Sequence, residues 1–200
     1  MTLLALLVAT TSLRYFAMNP ETFFRESRAV YVDHPIALLG HIGGGIAALV
    51  IGPFQFWSRF RNRFLTFHRL LGGVYLLATV GFGGIGGLLL APHSYGGLTT
   101  HIGFGMLAGF WILTGTVAFR SILQGRVPQH RQWMIRSYAL TFAAVTLRLW
   151  IPVLMSAGFE FEAVYQTVAW LSWVPNLIVA ECYLQMTKVA AEKVSTATTA

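Results

Sequence analysis

Apolar residues run along this chain in long blocks separated by short polar stretches. The blocks cover residues 2–17, 35–57, 65–91, 97–119, 128–155 and 163–186. The last five are each long enough for a membrane-spanning helix, which takes about 20 apolar residues. The first is shorter and carries Arg14. It has no basic leader and no small-x-small cleavage site, so it is expected to be a retained helix rather than a signal peptide. Pro35 and Pro128 stand where a first helical turn tolerates a missing N–H. The stretch 19–33 is expected to be a polar loop. The tail 194–200 is Ser, Thr and Ala, and is expected to be disordered. The pattern predicts an all-α integral membrane protein with six transmembrane helices in one transmembrane domain, residues 1–193.

Composition strengthens this expectation. Of the 200 residues 56% are hydrophobic and 10% are charged, and the mean hydropathy is +0.62. A soluble domain carries about 25% charged residues. Too few charges remain to build a polar surface, so the lipid bilayer is the expected partner. The net charge of +7 would suggest nucleic acid in a soluble protein. Here the basic residues instead gather in short loops, so no nucleic-acid partner is expected. Arg59, Arg61, Arg63, Arg69, Arg120, Arg126, Arg131, Arg136, Lys188 and Lys193 fall on one side, against Arg25 and Arg28 on the other. The basic side is expected to be cytoplasmic, with both termini inside. The lone Cys182 rules out an intrachain disulfide and a Cys-rich metal site.

A repeat organises the middle of the chain. His41-Ile42-Gly43 recurs sixty positions later as His101-Ile102-Gly103, and His68-Arg69 recurs as His130-Arg131. The second and third helices thus read as one unit, and the fourth and fifth as its duplicate, forming a central four-helix bundle. Alternating helix direction puts His41 with His101 at the outer level and His68 with His130 at the inner level. Facing imidazole pairs in a bundle interior suit bis-histidine haem ligation. Small residues follow these histidines at helical spacing, with Gly44, Gly45, Ala48 and Gly52 after His41 and Gly72 after His68. They suit either a flat ligand or close helix packing. His34 and His93 lie outside the repeat core at the outer surface, where an external electron donor, acceptor or metal could meet them.

Arg148 is a charge well inside a helix, which marks a functional candidate. It lies 18 residues after His130, or five helical turns, so it shares that face near the outer level. It could pair with an outer haem's propionates or an acidic substrate. It could equally snorkel, or pair with Glu160 or Glu162. Arg69, Arg131 and Arg136 could serve inner propionates or act as cytoplasmic anchors.

The segment from His130-Arg131-Gln132-Trp133-Met134 through Thr146-Leu147-Arg148 resembles the signature of a bacterial family of predicted membrane proteins of unknown function. Gly52-Pro53-Phe54-Gln55-Phe56 and His68-Arg69-Leu70-Leu71-Gly72 fit that family too. It implies a bacterial inner membrane and no activity. The architecture, with one histidine on each of helices two to five, is similar to the cytochrome b561 family. That resemblance implies transmembrane electron transfer by a membrane oxidoreductase with two haems b. His41 and His101 would ligate the outer haem iron, and His68 and His130 the inner. His68 and His130 lie close to the basic loops, shallower than the family pattern, which favours the outer pair; a single-haem version using His41 and His101 is a close variant.

Electron transfer to or from a quinone, ferric chelate or similar small acceptor is therefore the leading expectation. The alternative is a non-haem transporter using the histidines as metal or proton sites and Arg148 as an anion contact. No catalytic triad, phosphate loop or paired-carboxylate motif appears. The oligomeric state is open, a homodimer included.

Overall fold

The computed structural model describes residues 2–198, with side chains to residue 189. The described residues are helical, with turns and no strand. Four helices are long and apolar enough to cross a membrane: Pro35–Phe56 (α2), Leu65–His93 (α3), Leu98–Leu123 (α4) and Val127–Ser156 (α5). Before them lies the shorter α1, Thr2–Ser12, which tightens into a 3₁₀ turn over Leu13–Ala17. After them come α6, Phe161–Leu171, and α7, Val174–Thr198. The stretch 194–200, expected as a tail, falls beyond the last described side chain, and residues 199 and 200 lie outside the described residues altogether.

The boundaries of the four spans lie within a few residues of the apolar blocks. Other regions differ. The expected loop 19–33 contains 3₁₀ turns and a short helix, Arg28–Asp33. The basic loop after α2 is wound into Ser58–Arg63. The last apolar block is broken at Ser172 and Trp173 rather than forming one helix. Pro175 lacks an N–H to continue the hydrogen-bond ladder. Beside the break, the Ser172 carbonyl accepts from the Asn176 side-chain amide at 2.9 Å and from the Thr146 hydroxyl of α5.

The spans α2, α3, α4 and α5 pack in sequence, and α5 returns to touch α2. α1 packs on α2, and α6 covers α4 and α5. Within α3, residues Leu77–Gly84 wind as a π-helix. Glycines make the fit there possible. A Cβ on Gly44 of α2 would lie 2.4 Å from both the Ala78 carbonyl oxygen and the Gly83 nitrogen of this segment. The core is largely apolar, built on Ala48, Tyr75, Trp111, Leu140 and Trp173. The outward faces carry Leu3, Phe67, Leu89, Leu98 and Met186, as a lipid-facing surface requires.

Candidate functional site

Three of the repeated histidines are tied to backbone carbonyls. His41 donates from Nδ1 to Gly83 O at 2.8 Å, at the end of the π segment. His101 donates from Nε2 to Ser94 O at 2.9 Å. His130 donates from Nδ1 to Ala118 O at 2.8 Å. Each is left with one ring nitrogen whose lone pair is free, the arrangement that orients a metal-ligating histidine.

The structure does not bring His41 and His101 together. A Cβ on Gly87 would meet the His41 ring at 2.9 Å and Ala108 at 3.6 Å, and the His41 and Trp111 ring centroids lie 6.4 Å apart. Ala108 and Trp111 lie seven and ten residues beyond His101 on α4, about 10–15 Å along the axis. His101 leans the opposite way, back toward Ser94 in the loop. That loop turns through Gly96 at φ +93° and Gly97 at φ +72°, values open to glycine. Two of the small residues after His41 are also filled by neighbours, while Gly45 stays open. Gly44 meets α3, and Gly52 lies under the Tyr138 ring, 2.1 Å from where a Cβ would stand. The residues at this level do not fit a haem.

His68 and His130 stand differently. Tyr75 and Ser137 follow them by seven residues each on two helices that run in the same direction. The Tyr75 and Ser137 hydroxyls are 3.1 Å apart. Contact two turns up fixes the register, so the two histidines sit at matching height. His68 lies near Arg61, His130 and Arg69.

Around this level lie buried polar atoms with no partner: His68 Nδ1, Gln55 Nε2 and Tyr138 OH. Gln55 is only 6% exposed, and its Oε1 abuts Gly72, one turn beyond His68, 3.1 Å from where a Cβ would stand. An unpaired buried polar group costs about 1–3 kcal/mol, so each of these atoms is a candidate partner for a water or a ligand. Deeper in, the network is complete. Tyr75 is fully buried and also bonds Thr141 at 3.0 Å, and Thr141 accepts from Trp111 Nε1 at 2.9 Å. Gln55, Tyr75, Trp111, Ser137, Tyr138 and Thr141 were not evident as site residues in the sequence. A usable signal was present: Tyr75/Ser137 and Thr79/Thr141 occupy equivalent positions after the repeated histidines.

The arginines separate by role. Arg136 forms a two-point ion pair with Glu181 of α7, with Nη2 2.8 Å from Oε2, and its guanidinium stacks on Trp133 at 4.6 Å. It is thereby occupied. Arg69 and Arg131 are exposed, with no side-chain hydrogen bond or ion pair among the described residues. Arg148 donates to Ala144 O at 2.8 Å and to Ser12 Oγ of α1 at 3.2 Å. Among the described residues no carboxylate pairs with it. Two grooves flank the bundle, one between α2 and α3 beside Gly40 and Ala47, the other between α4 and α6–α7 beside Gln166 and Trp170. None of the histidines lines either groove.

Residues 38–184 match the profile of a family described as Predicted membrane protein (DUF2306). The chain belongs to this family. The match takes in the four repeated histidines, Arg148 and the buried polar cluster, and begins after His34. No curated protein and no solved structure matches the chain.

Proposed function

We propose that this family member is a cytochrome b561-like electron carrier of the bacterial inner membrane that holds one haem b per chain between His68 and His130. The observation that supports this reading is the Tyr75–Ser137 contact, which joins α3 and α5 seven residues beyond each of those histidines. The donor chemistry suits the group. His130 has Nδ1–H committed to a carbonyl, leaving Nε2 to ligate, and His68 Nδ1 is buried and unpartnered. Bound haem would supply one-electron chemistry. The chain's own part is to hold the axial imidazoles, bury the inward edge of the site beneath Tyr75 and Met134, and offer the Arg61, Arg69 and Arg131 charges to anionic groups at its outer edge. No haem is proposed between His41 and His101.

We further propose six spans, with α1 and the α6–α7 pair flanking the four long helices, and a central bundle descended from a duplicated unit. The basic loops lie in the cytoplasm with both termini, on the strength of the Lys and Arg bias. A small acceptor, a quinone or ferric chelate, would exchange electrons at the membrane surface.

The test is the visible spectrum of detergent-purified protein, oxidised and dithionite-reduced, from haem-replete cells. One haem per chain with a sharp reduced b-type band is the expected result. A colourless protein under those conditions sinks the proposal. It would favour the second reading, a transporter or metal- or proton-binding protein in which His68, Gln55 and Tyr138 line a polar pathway. The three unpartnered buried atoms also suit that reading.

A further inference from the structure

The fold brings together two histidines that the repeat leaves out. His34 precedes α2, its backbone N–H bonded to Val30 O at 2.9 Å and its carbonyl accepting from Leu38 N at 3.0 Å. His93 ends the turn Ala91–His93 that closes α3. Fifty-nine residues apart in sequence, their ring centroids lie 4.5 Å apart with the planes tilted by 43°. His93 Nδ1–H points to Leu89 O at 3.3 Å, which leaves its Nε2 lone pair without a hydrogen bond among the described residues. The His34 ring has no hydrogen bond among the described residues. His93 is exposed, so this pair is not core packing. A stack of two imidazoles in the open adds little to a bundle already closed by its apolar spans.

We propose that His34 and His93 form a two-imidazole site for a divalent transition-metal ion, Cu(II) or Zn(II), at the end of the bundle opposite the basic loops. Imidazole nitrogen is the ligand these borderline ions prefer. Among the described residues no third His, Cys, Asp or Glu completes the set, so water fills the remaining positions and the site is open. The exposed Asp33 carboxylate, one residue before His34, makes no ion pair among the described residues and biases this end toward cations. The proposal does not rest on haem, because its readout is the same in a colourless protein.

The experiment is a Cu(II) titration of the detergent-purified full chain carrying a histidine-free tag, followed by electron paramagnetic resonance. The expected result is one Cu(II) per chain, with nitrogen hyperfine lines from two imidazoles. His34→Gln and His93→Gln should each weaken binding by at least the ~10-fold that even an outer-shell partner is worth. His93 is exposed and His34 half-buried, and an unshifted melting temperature shows that each variant is folded. His101→Gln should bind as the parent does. Absence of binding, or unchanged stoichiometry and affinity in the His34→Gln/His93→Gln double variant, overturns the proposal.

Discussion

The His130 imidazole donates from Nδ1 to the carbonyl oxygen of Ala118, 2.8 Å away on the preceding helix. That bond ties the start of α5 to α4 and selects the tautomer whose Nε2 can ligate. It makes His130 the better oriented member of the inner pair.

If haem sits at that level, His130→Ala and His68→Ala each abolish the reduced b-type band, whereas His41→Ala and His101→Ala retain it. The measurement is the haem-to-protein ratio of each variant after purification. A band lost on His41→Ala and kept in His130→Ala would move the site to the outer level.

Tyr75 is fully buried and its hydroxyl meets both Ser137 and Thr141. Tyr75→Phe leaves the ring packing intact and removes both bonds. A loss of about 1–3 kcal/mol is expected, because the Ser137 hydroxyl is left unpaired in the core. Thermal unfolding in detergent reads it, and Ser137→Ala on top of Tyr75→Phe should cost little more.

Two adjacent glycines should behave in opposite ways. A Cβ at Gly44 collides with backbone of the π segment, while at Gly45 it meets nothing within 4 Å. Gly44→Ala should cost about 1–3 kcal/mol by overpacking. Gly45→Ala should be neutral or stabilise by up to about 1 kcal/mol through helix propensity. Equal melting temperatures for the two would argue against this helix contact.

The Arg136–Glu181 pair joins α5 to α7, with side chains 19% and 40% exposed. Partial exposure and screening limit its worth to about 1 kcal/mol or less. A double-mutant cycle of Arg136→Gln and Glu181→Gln should return a coupling of that size that shrinks with added salt. A zero coupling would mean that α7 is held by apolar contact alone.

Tyr31, within the short helix Arg28–Asp33, has its phenol pushed up from 10.0 to about 12, first by burial and then by Tyr15. The neutral form is favoured in the folded state. Its contribution is therefore fully present below pH 10 and is lost as pH rises toward 12. Unfolding titrated over that window should show a steeper fall in the parent than in Tyr31→Phe.

The spans were legible because their apolar blocks are long and their ends are marked by Pro35, Pro128 and basic clusters. The repeat makes the inner histidines a candidate pair, and the Tyr75–Ser137 contact seven residues beyond them is consistent with that expectation. What escaped depends on contacts the sequence does not announce. Arg148 meets Ser12 across 136 positions of chain. His101 turns away from His41 because the Gly96-Gly97 turn carries the Ser94 carbonyl back over it. The glycines after His41 suited a flat ligand and a helix contact equally, and only the neighbouring π segment and the Tyr138 ring decide between them. The His34–His93 contact depends on how two helix ends meet, which no spacing reveals.

The π winding of Leu77–Gly84 works as a dial set into α3. Tyr75 and Gly86 are eleven residues apart, which in an unbroken α-helix is three turns and one shared azimuth. Here Tyr75 is aimed at Ser137 and Thr141 of α5, while Gly86 is pressed against Ala37 and His41 of α2. The wider coil advances each residue by a smaller angle, so the two ends of one rod address different partners. Deleting one residue within 77–84 would turn the lower half, His68 and Tyr75 included, away from α5 while leaving the upper half seated on α2.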